Sequence, residues 1–239
     1  MNILISKDKD QLARDAADFI VRTAAQAIAD HGQFTLAVSG GSTPRKMLEL
    51  LSQSTEVDWS KVHLFQVDER VAPDGHDDRN ASMLDQTLLK PGSKSVDTLT
   101  NVYLMPVNSD DPAAEYESVL KSVCGSPPKI DLIQLGLGDD GHTASLVPND
   151  PVCDVTDVDV ALTLEYKGRH RLTMTRPLLE RGHQQLWLVA GDNKKEAMAT
   201  FFQGEKTIPA NLFDHSDATV MCDEAALPTK YHDSPSRKP

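Results

Sequence analysis

No run in the 239-residue sequence approaches the roughly 20 consecutive apolar residues of a membrane-spanning helix, so no membrane partner is expected. Basic residues are the scarcer charge, with 24 Lys+Arg against 36 Asp+Glu and a formal net charge of -12. That balance repels phosphate backbones and anionic lipid, which argues against a nucleic-acid partner. An anionic small molecule would then need a local cluster of cations. Cysteine is also scarce: Cys124, Cys153 and Cys222 are odd in number, far apart and outside any Cys-x-x-Cys pattern. Neither a disulfide framework nor a zinc site is indicated, and no metal is expected. The first ten residues lack the apolar core of a signal peptide, which together with free thiols predicts a cytoplasmic protein. There is no internal repeat, and nothing in the pattern specifies an oligomeric state.

What the sequence does have is alternation. Leu12, Ala16, Phe19, Ile20, Ala24, Ala27 and Ile28 recur at helical spacing, and Phe34, Leu36 and Val38 then alternate as in a strand. Met47, Leu48 and Leu51 mark a second helix and Val62 to Val67 a second strand. A helical stripe at Tyr116, Val119, Leu120 and Val123 precedes an apolar run from Ile130 to Leu137. Arg171 to Thr175 reads as a strand, Pro177 to Arg181 as a short helix, Leu186 to Ala190 as a buried strand, and Asn193 to Phe202 as a helix. Such a succession predicts an α/β fold, a mostly parallel β-sheet flanked by helices on both faces. Polar, turn-rich segments at Asp74 to Asp78 and Ser93 to Asn101 are too short for interdomain linkers, so residues 1–227 are expected to form one domain. Residues 228–239 are expected to form a flexible tail.

In open parallel sheets, ligands bind beyond the carboxyl ends of the strands, and four polar clusters fall there. Ser39-Gly40-Gly41-Ser42-Thr43-Pro44 joins a strand to a helix. Gly40 and Gly41 allow backbone N–H groups to approach a ligand closely, Ser42 and Thr43 add hydroxyls, and the helix N-terminus adds partial positive charge: a phosphate cradle. A tight turn with a Ser/Thr cap would explain the same residues without a ligand. The Walker pattern is absent. Asp68-Glu69-Arg70 follows a strand, with Arg70 suited to grip a phosphate or carboxylate and Asp68 beside it; Asn80 either caps the next helix or touches a sugar hydroxyl.

The third cluster is Gly136-Leu137-Gly138-Asp139-Asp140-Gly141-His142-Thr143-Ala144-Ser145. Its glycine spacing imitates a dinucleotide fingerprint, but the acidic residue that should end a second strand is missing, so no nucleotide cofactor is expected. His142 is placed to act as a general base, its ring oriented by Asp140 or, alternatively, Asp139. The fourth cluster is basic, Arg171 and Lys194, each beside a strand, where they can complete an anion pocket with Arg70.

In this order the motifs resemble those of the 6-phosphogluconolactonase family, from Gly40-Gly41-Ser42-Thr43-Pro44 through Asp140-Gly141-His142-Thr143-Ala144-Ser145 to Arg171-Leu172-Thr173 and Gly191-Asp192-Asn193-Lys194. The resemblance covers about Phe34 to Leu227. Val147 and Asn149 stand where the family usually has Phe and Gly, and Leu179-Glu180 where it commonly has Leu-Asn. The resemblance implies a Rossmann-like fold of the sugar-phosphate isomerase type and hydrolysis of 6-phospho-D-glucono-1,5-lactone without metal or organic cofactor. It implies a phosphorylated sugar lactone as the small-molecule partner. Two rivals stand beside this reading: a glucosamine-6-phosphate deaminase or related isomerase, and a sugar-phosphate sensor without activity. The deaminase type carries an Asn-Gly-His turn, where this chain has Asp140-Gly141-His142. Sensors usually carry a DNA-binding segment, and none is visible.

Overall fold

The computed structural model describes residues 1–89 and 96–231. In chain order its elements are β1 (Asn2–Ser6), α1 (Lys9–His31), β2 (Phe34–Val38), α2 (Ser42–Leu51), β3 (Val62–Gln66), β4 (Asp68–Arg70), α3 (Asn80–Gln86) and β5 (Asn101–Tyr103). There follow α4 (Pro112–Cys124), β6 (Leu132–Leu135), β7 (Val160–Leu162), β8 (Arg171–Met174), α5 (Arg176–Arg181), β9 (Gln184–Val189), α6 (Lys195–Gln203) and β10 (Ala218–Asp223).

The main sheet has seven strands in the order β1-β10-β9-β6-β2-β3-β5, and every pair in it is parallel. Because successive side chains of a strand point to opposite faces, each buried strand serves two cores. Leu36, Leu64, Leu132, Leu186 and Met221 pack with Leu12, Ile20, Met47 and Leu48 of α1 and α2. Their neighbours Ala37, Phe65, Ile133, Trp187 and Val220 pack with Tyr116, Leu178 and Phe201 of α4, α5 and α6. Helices therefore cover both faces, as the alternation predicts.

Local chemistry sets the helix limits. Asp8 accepts the Gln11 N–H at 2.8 Å to start α1, and Gly32, at φ 87°, ends it with its N–H on Ile28 O. Asp111 caps α4 just ahead of Pro112, whose ring suits a first helical position.

One expectation needs correction. The strand at Arg171 to Thr175 forms, but not in the parallel sheet: β8 is the middle strand of a second, three-stranded antiparallel sheet, β4-β8-β7. After β3 the chain leaves the main sheet at Val67, whose carbonyl accepts Met174 N–H, and Asp68-Glu69-Arg70 itself becomes a strand. Tertiary pairing decides this, since three charged residues carry no strand signal of their own. β10, between β1 and β9, was not anticipated: Ala-Thr-Val-Met-Cys-Asp is buried on both sides and shows no alternation.

Of the two peripheral segments, the turn-rich stretch from Ser93 to Asn101 lies outside the described residues at positions 93–95. Likewise, the expected tail lies outside them at 232–239, while Thr229–Tyr231 forms a 3₁₀ turn with the Tyr231 ring 4.8 Å from that of Phe202.

Candidate functional site

The strand order reverses between β2 and β6, since β3 and β5 lie beyond one and β9 and β10 beyond the other. At such a switch point the loops leaving two neighbouring strands diverge and open a crevice. There the structure has a cavity of about 180 Å³, lined by Gly40 to Pro44 after β2, Asp68 and Arg70 of β4, Gly138 and His142 after β6, Arg171 of β8, and Lys194 after β9.

The glycine loop is held from behind and open in front. Ser39 is buried, its N–H on Gln134 Oε1 at 3.1 Å and its hydroxyl on the Gln134 carbonyl at 3.0 Å. Gly40 lies so close to Asn80 that a Cβ there would meet Asn80 Oδ1 at 1.8 Å. No side chain caps the start of α2. The N-cap position is Gly41, which has no side chain to cap with, so the Ser/Thr cap of the turn-only explanation is not formed, and Ser42 and Thr43 line the cavity instead.

Period-two alternation divides β4. Asp68 and Arg70 line the cavity, while Glu69 points away and is fully buried, accepting N–H groups from Arg70, Asn80 and Ala81 and the Gln66 amide, all within 2.9 Å. Arg79 Nε adds an ion pair at 3.1 Å. This carboxylate fastens the start of α3 to β4. Asn80 does not line the cavity: its amide donates to Asp68 O at 2.8 Å and Asp68 Oδ1 at 3.2 Å, holding the aspartate from below.

Arg70 and Arg171 are direct cross-strand partners. Like charges placed opposite each other repel, so the pairing favours an anion between or above them. Arg171 is only 7 % exposed, and its Nε has no hydrogen-bond partner. Its Nη1 reaches Ser145 Oγ only at 3.4 Å, and that hydroxyl donates to Asp68 Oδ2 at 2.5 Å. Burial lowers the Arg171 pKa; Asp68 opposes that shift and Arg70 adds to it. Lys194 forms no ion pair among the described residues. An acidic chain has thus gathered three cations on one small cavity.

In the same cavity, His142 Nδ1 lies 2.5 Å from Asp140 Oδ1, which also takes the His142 backbone N–H at 3.1 Å. An ionised carboxylate only accepts, so Nδ1 carries a proton, and in the neutral form of the ring the lone pair is left on Nε2. Asp140 Oδ2 accepts the Tyr166 hydroxyl at 2.7 Å. Burial pushes the Asp140 carboxyl up, but the Tyr166 hydroxyl, the nearby His142 charge and the His142 N–H groups together hold it down to about 2. Gly138 makes room for this pair, since a Cβ there would stand 2.1 Å from His142 Nδ1. Asp139 is exposed and makes no hydrogen bond to the ring among the described residues, which leaves Asp140 as the ring's partner.

Comparison with known proteins is decisive at the level of family. Residues 7–222 match the model of the glucosamine-6-phosphate isomerases/6-phosphogluconolactonase. The chain belongs to that family. Among its relatives, the 6-phosphogluconolactonase of Synechocystis is 39 % identical over 193 residues, covering 75 % of this chain and 76 % of that one. The Pseudomonas aeruginosa 6-phosphogluconolactonase is 32 % identical, covering 87 % of this chain and 89 % of the other. The solved Shewanella baltica 6-phosphogluconolactonase superposes with a TM-score of 0.81 at 22 % identity, over 93 % of this chain and 97 % of its own. A monomeric glucosamine-6-phosphate deaminase superposes with a TM-score of 0.80 at 18 % identity, over 95 % and 98 % of the two chains. The fold is therefore common to both branches of the family and does not choose between them.

Of the residues singled out in the sequence, the structure brings Gly40, Gly41, Ser42, Thr43, Asp68, Arg70, His142, Arg171 and Lys194 onto one cavity, with Asp140 behind His142 and Asn80 behind Asp68. Two groups escaped the sequence reading. Ser145 was quoted only as part of a motif, yet it bridges Asp68 and Arg171. Tyr166 lies in a polar stretch with no periodicity, and only the hairpin joining β7 to β8 brings it to Asp140. Among the described residues, Asp139, Asp140 and His142 are the one group whose possible metal-ligand atoms lie within 4.8 Å of one another. Within it, His142 Nδ1 and both Asp140 oxygens already take part in hydrogen bonds.

Proposed function

We propose that this chain hydrolyses 6-phospho-D-glucono-1,5-lactone to 6-phosphogluconate, the second step of the oxidative pentose phosphate pathway, with His142 as general base. The observation that carries the reading is one cavity lined both by a buried, incompletely satisfied guanidinium and by an imidazole oriented by a carboxylate. The names of the sequence relatives support the lactonase branch, as does Asp140-Gly141-His142 in place of the deaminase-type turn.

In this mechanism the phosphate rests on the N–H groups of Gly40 to Thr43 and on Arg70, Arg171 and Lys194. The lactone carbonyl then lies near His142. Nε2 takes a proton from water as the oxygen adds to C1, and N–H donors or a guanidinium carry the oxyanion charge. Collapse breaks the bond from C1 to the ring oxygen, which receives the proton back from His142. The acid formed ionises in solution, so no cofactor or co-reactant is required. No helix among the described residues is long and apolar enough to cross a membrane, and a cytoplasmic enzyme without nucleic-acid or membrane partners completes the reading.

The test is the rate of lactone opening, with substrate generated in place and the spontaneous reaction subtracted. Wild type should accelerate it, and His142→Ala should lose about 10²- to 10⁴-fold in kcat with little change in phosphate affinity. Full activity in the variant would remove His142 as the base. Release of ammonia from glucosamine 6-phosphate would move the chain to the deaminase branch, and binding without acceleration would make it a sensor.

A further inference from the structure

Tyr166 touches three members of the site from outside the cavity wall. It stands where β7 turns back to β8, in a tight hairpin in which Tyr166 and Arg169 form an isolated bridge and Lys167 and Gly168 take φ values of 52° and 79°. Its hydroxyl donates to Asp140 Oδ2 at 2.7 Å. Its ring meets the His142 ring edge-on, with centroids 5.7 Å apart and planes at 65°. The Arg171 guanidinium carbon lies 4.9 Å from the same ring centroid.

We infer that Tyr166 is a positioning residue of this site: its hydroxyl fixes the Asp140 carboxylate that orients His142, and its ring seats the Arg171 guanidinium. The inference rests on the lactonase reading for its kinetic consequence, but not for the geometry. A carboxylate held through Oδ1 only, by the imidazole and the His142 backbone N–H, can still turn about its last torsion. With the side chain of Asp140 33 % exposed, water competes for the free oxygen. A second donor on Oδ2 fixes the plane and reserves Oδ1 for His142, so that Nε2 is kept as the basic nitrogen. The depressed Asp140 carboxyl, to which the Tyr166 hydroxyl is the leading favourable contribution, is in keeping with this. On its other side the π-face of the ring offers Arg171 an interaction that needs no carboxylate, leaving the guanidinium N–H groups for an anionic ligand.

Hydroxyl and ring therefore act on different kinetic constants, which a merely structural side chain would not do. Tyr166→Phe should lower kcat for lactone opening about tenfold while KM stays within about twofold, because the base is misaligned and the cations are untouched. Tyr166→Leu should show the same loss in kcat and, in addition, a KM raised about three- to tenfold as Arg171 loses its seat. In protein labelled with ¹⁵N-histidine, wild type should show His142 as one tautomer with the proton on Nδ1, and Tyr166→Phe a mixture of tautomers. Wild-type kcat and an unchanged tautomer in Tyr166→Phe would overturn the inference, as would parallel changes in kcat and KM in both variants. If the wild type does not open the lactone, the lactonase reading fails separately, and the tautomer comparison alone decides the role of Tyr166.

Discussion

Gly138→Ala should disable the site without unfolding the protein. The added methyl would stand 2.1 Å from His142 Nδ1, 2.4 Å from Cε1 and 2.7 Å from Asp140 Oδ1, whereas ordinary contact begins near 3.4 Å. To clear it the imidazole must retreat by roughly 1.3 Å, more than the bond to Asp140 tolerates, since hydrogen bonds weaken steeply beyond about 3.2 Å. Misplacement of a reacting group by about 1 Å costs on the order of 10²-fold in rate, so kcat should fall by about that factor. KM should change little, because the atoms the methyl meets belong to His142 and Asp140 and not to Arg70, Arg171 or Lys194. Stability should drop by no more than about 1 kcal/mol, because Gly138 is not at positive φ and the displaced side chains are part-exposed and can turn toward water. The assay is steady-state lactone opening for wild type, Gly138→Ala, His142→Ala and the double variant, alongside urea unfolding. If the methyl acts only through the ring, the double variant is no slower than His142→Ala alone, a non-additive cycle. Gly138→Ala with more than half of wild-type kcat, or a double variant far slower than His142→Ala, would refute the reasoning.

The same geometry fixes a pH dependence: the Asp140 carboxyl, held at about 2 in the fold against an ordinary 3.8, contributes stability above about pH 4 that is lost as pH falls toward 2. The melting-temperature gap between wild type and Asp140→Asn should therefore narrow as pH falls from about 4 and close near pH 2, reflecting about 1 kcal/mol or less after solvent screening. Glu69→Ala should cost about 3–5 kcal/mol in urea unfolding, since it strands the N–H groups of Asn80 and Ala81 and the buried guanidinium of Arg79. Asn149, at φ 65°, fills a left-handed position where the family usually has glycine. Asn149→Gly should be tolerated within about 0.5 kcal/mol and Asn149→Val should cost about 1–2 kcal/mol, both read by thermal unfolding.

Much of this protein is written in short-range pattern. Helical spacing from Leu12 to Ile28, strand alternation from Phe34 to Val38 and the glycine-bearing turns after strands depend on residues within one or two turns of each other. That is why the α/β class, the sheet covered on both faces and the loops at the site could be read directly. The family resemblance was likewise legible, because its motifs are contiguous. What only tertiary structure decided is where elements without a pattern of their own go. Asp68-Glu69-Arg70 is a strand because β8 pairs with it; β10 is buried on both faces, and its composition alone does not separate strand from helix. That Asp140 rather than Asp139 is hydrogen-bonded to His142 is set by the folded turn, since the two carboxylates are adjacent in sequence and of one chemical type. Arg70 and Arg171 face each other across a strand pair 101 positions apart in the chain, and Tyr166 reaches Asp140 across a hairpin. Sequence sets which groups can bear charge or move a proton; only the folded chain, by bringing distant strands into register, sets which of them share one cavity.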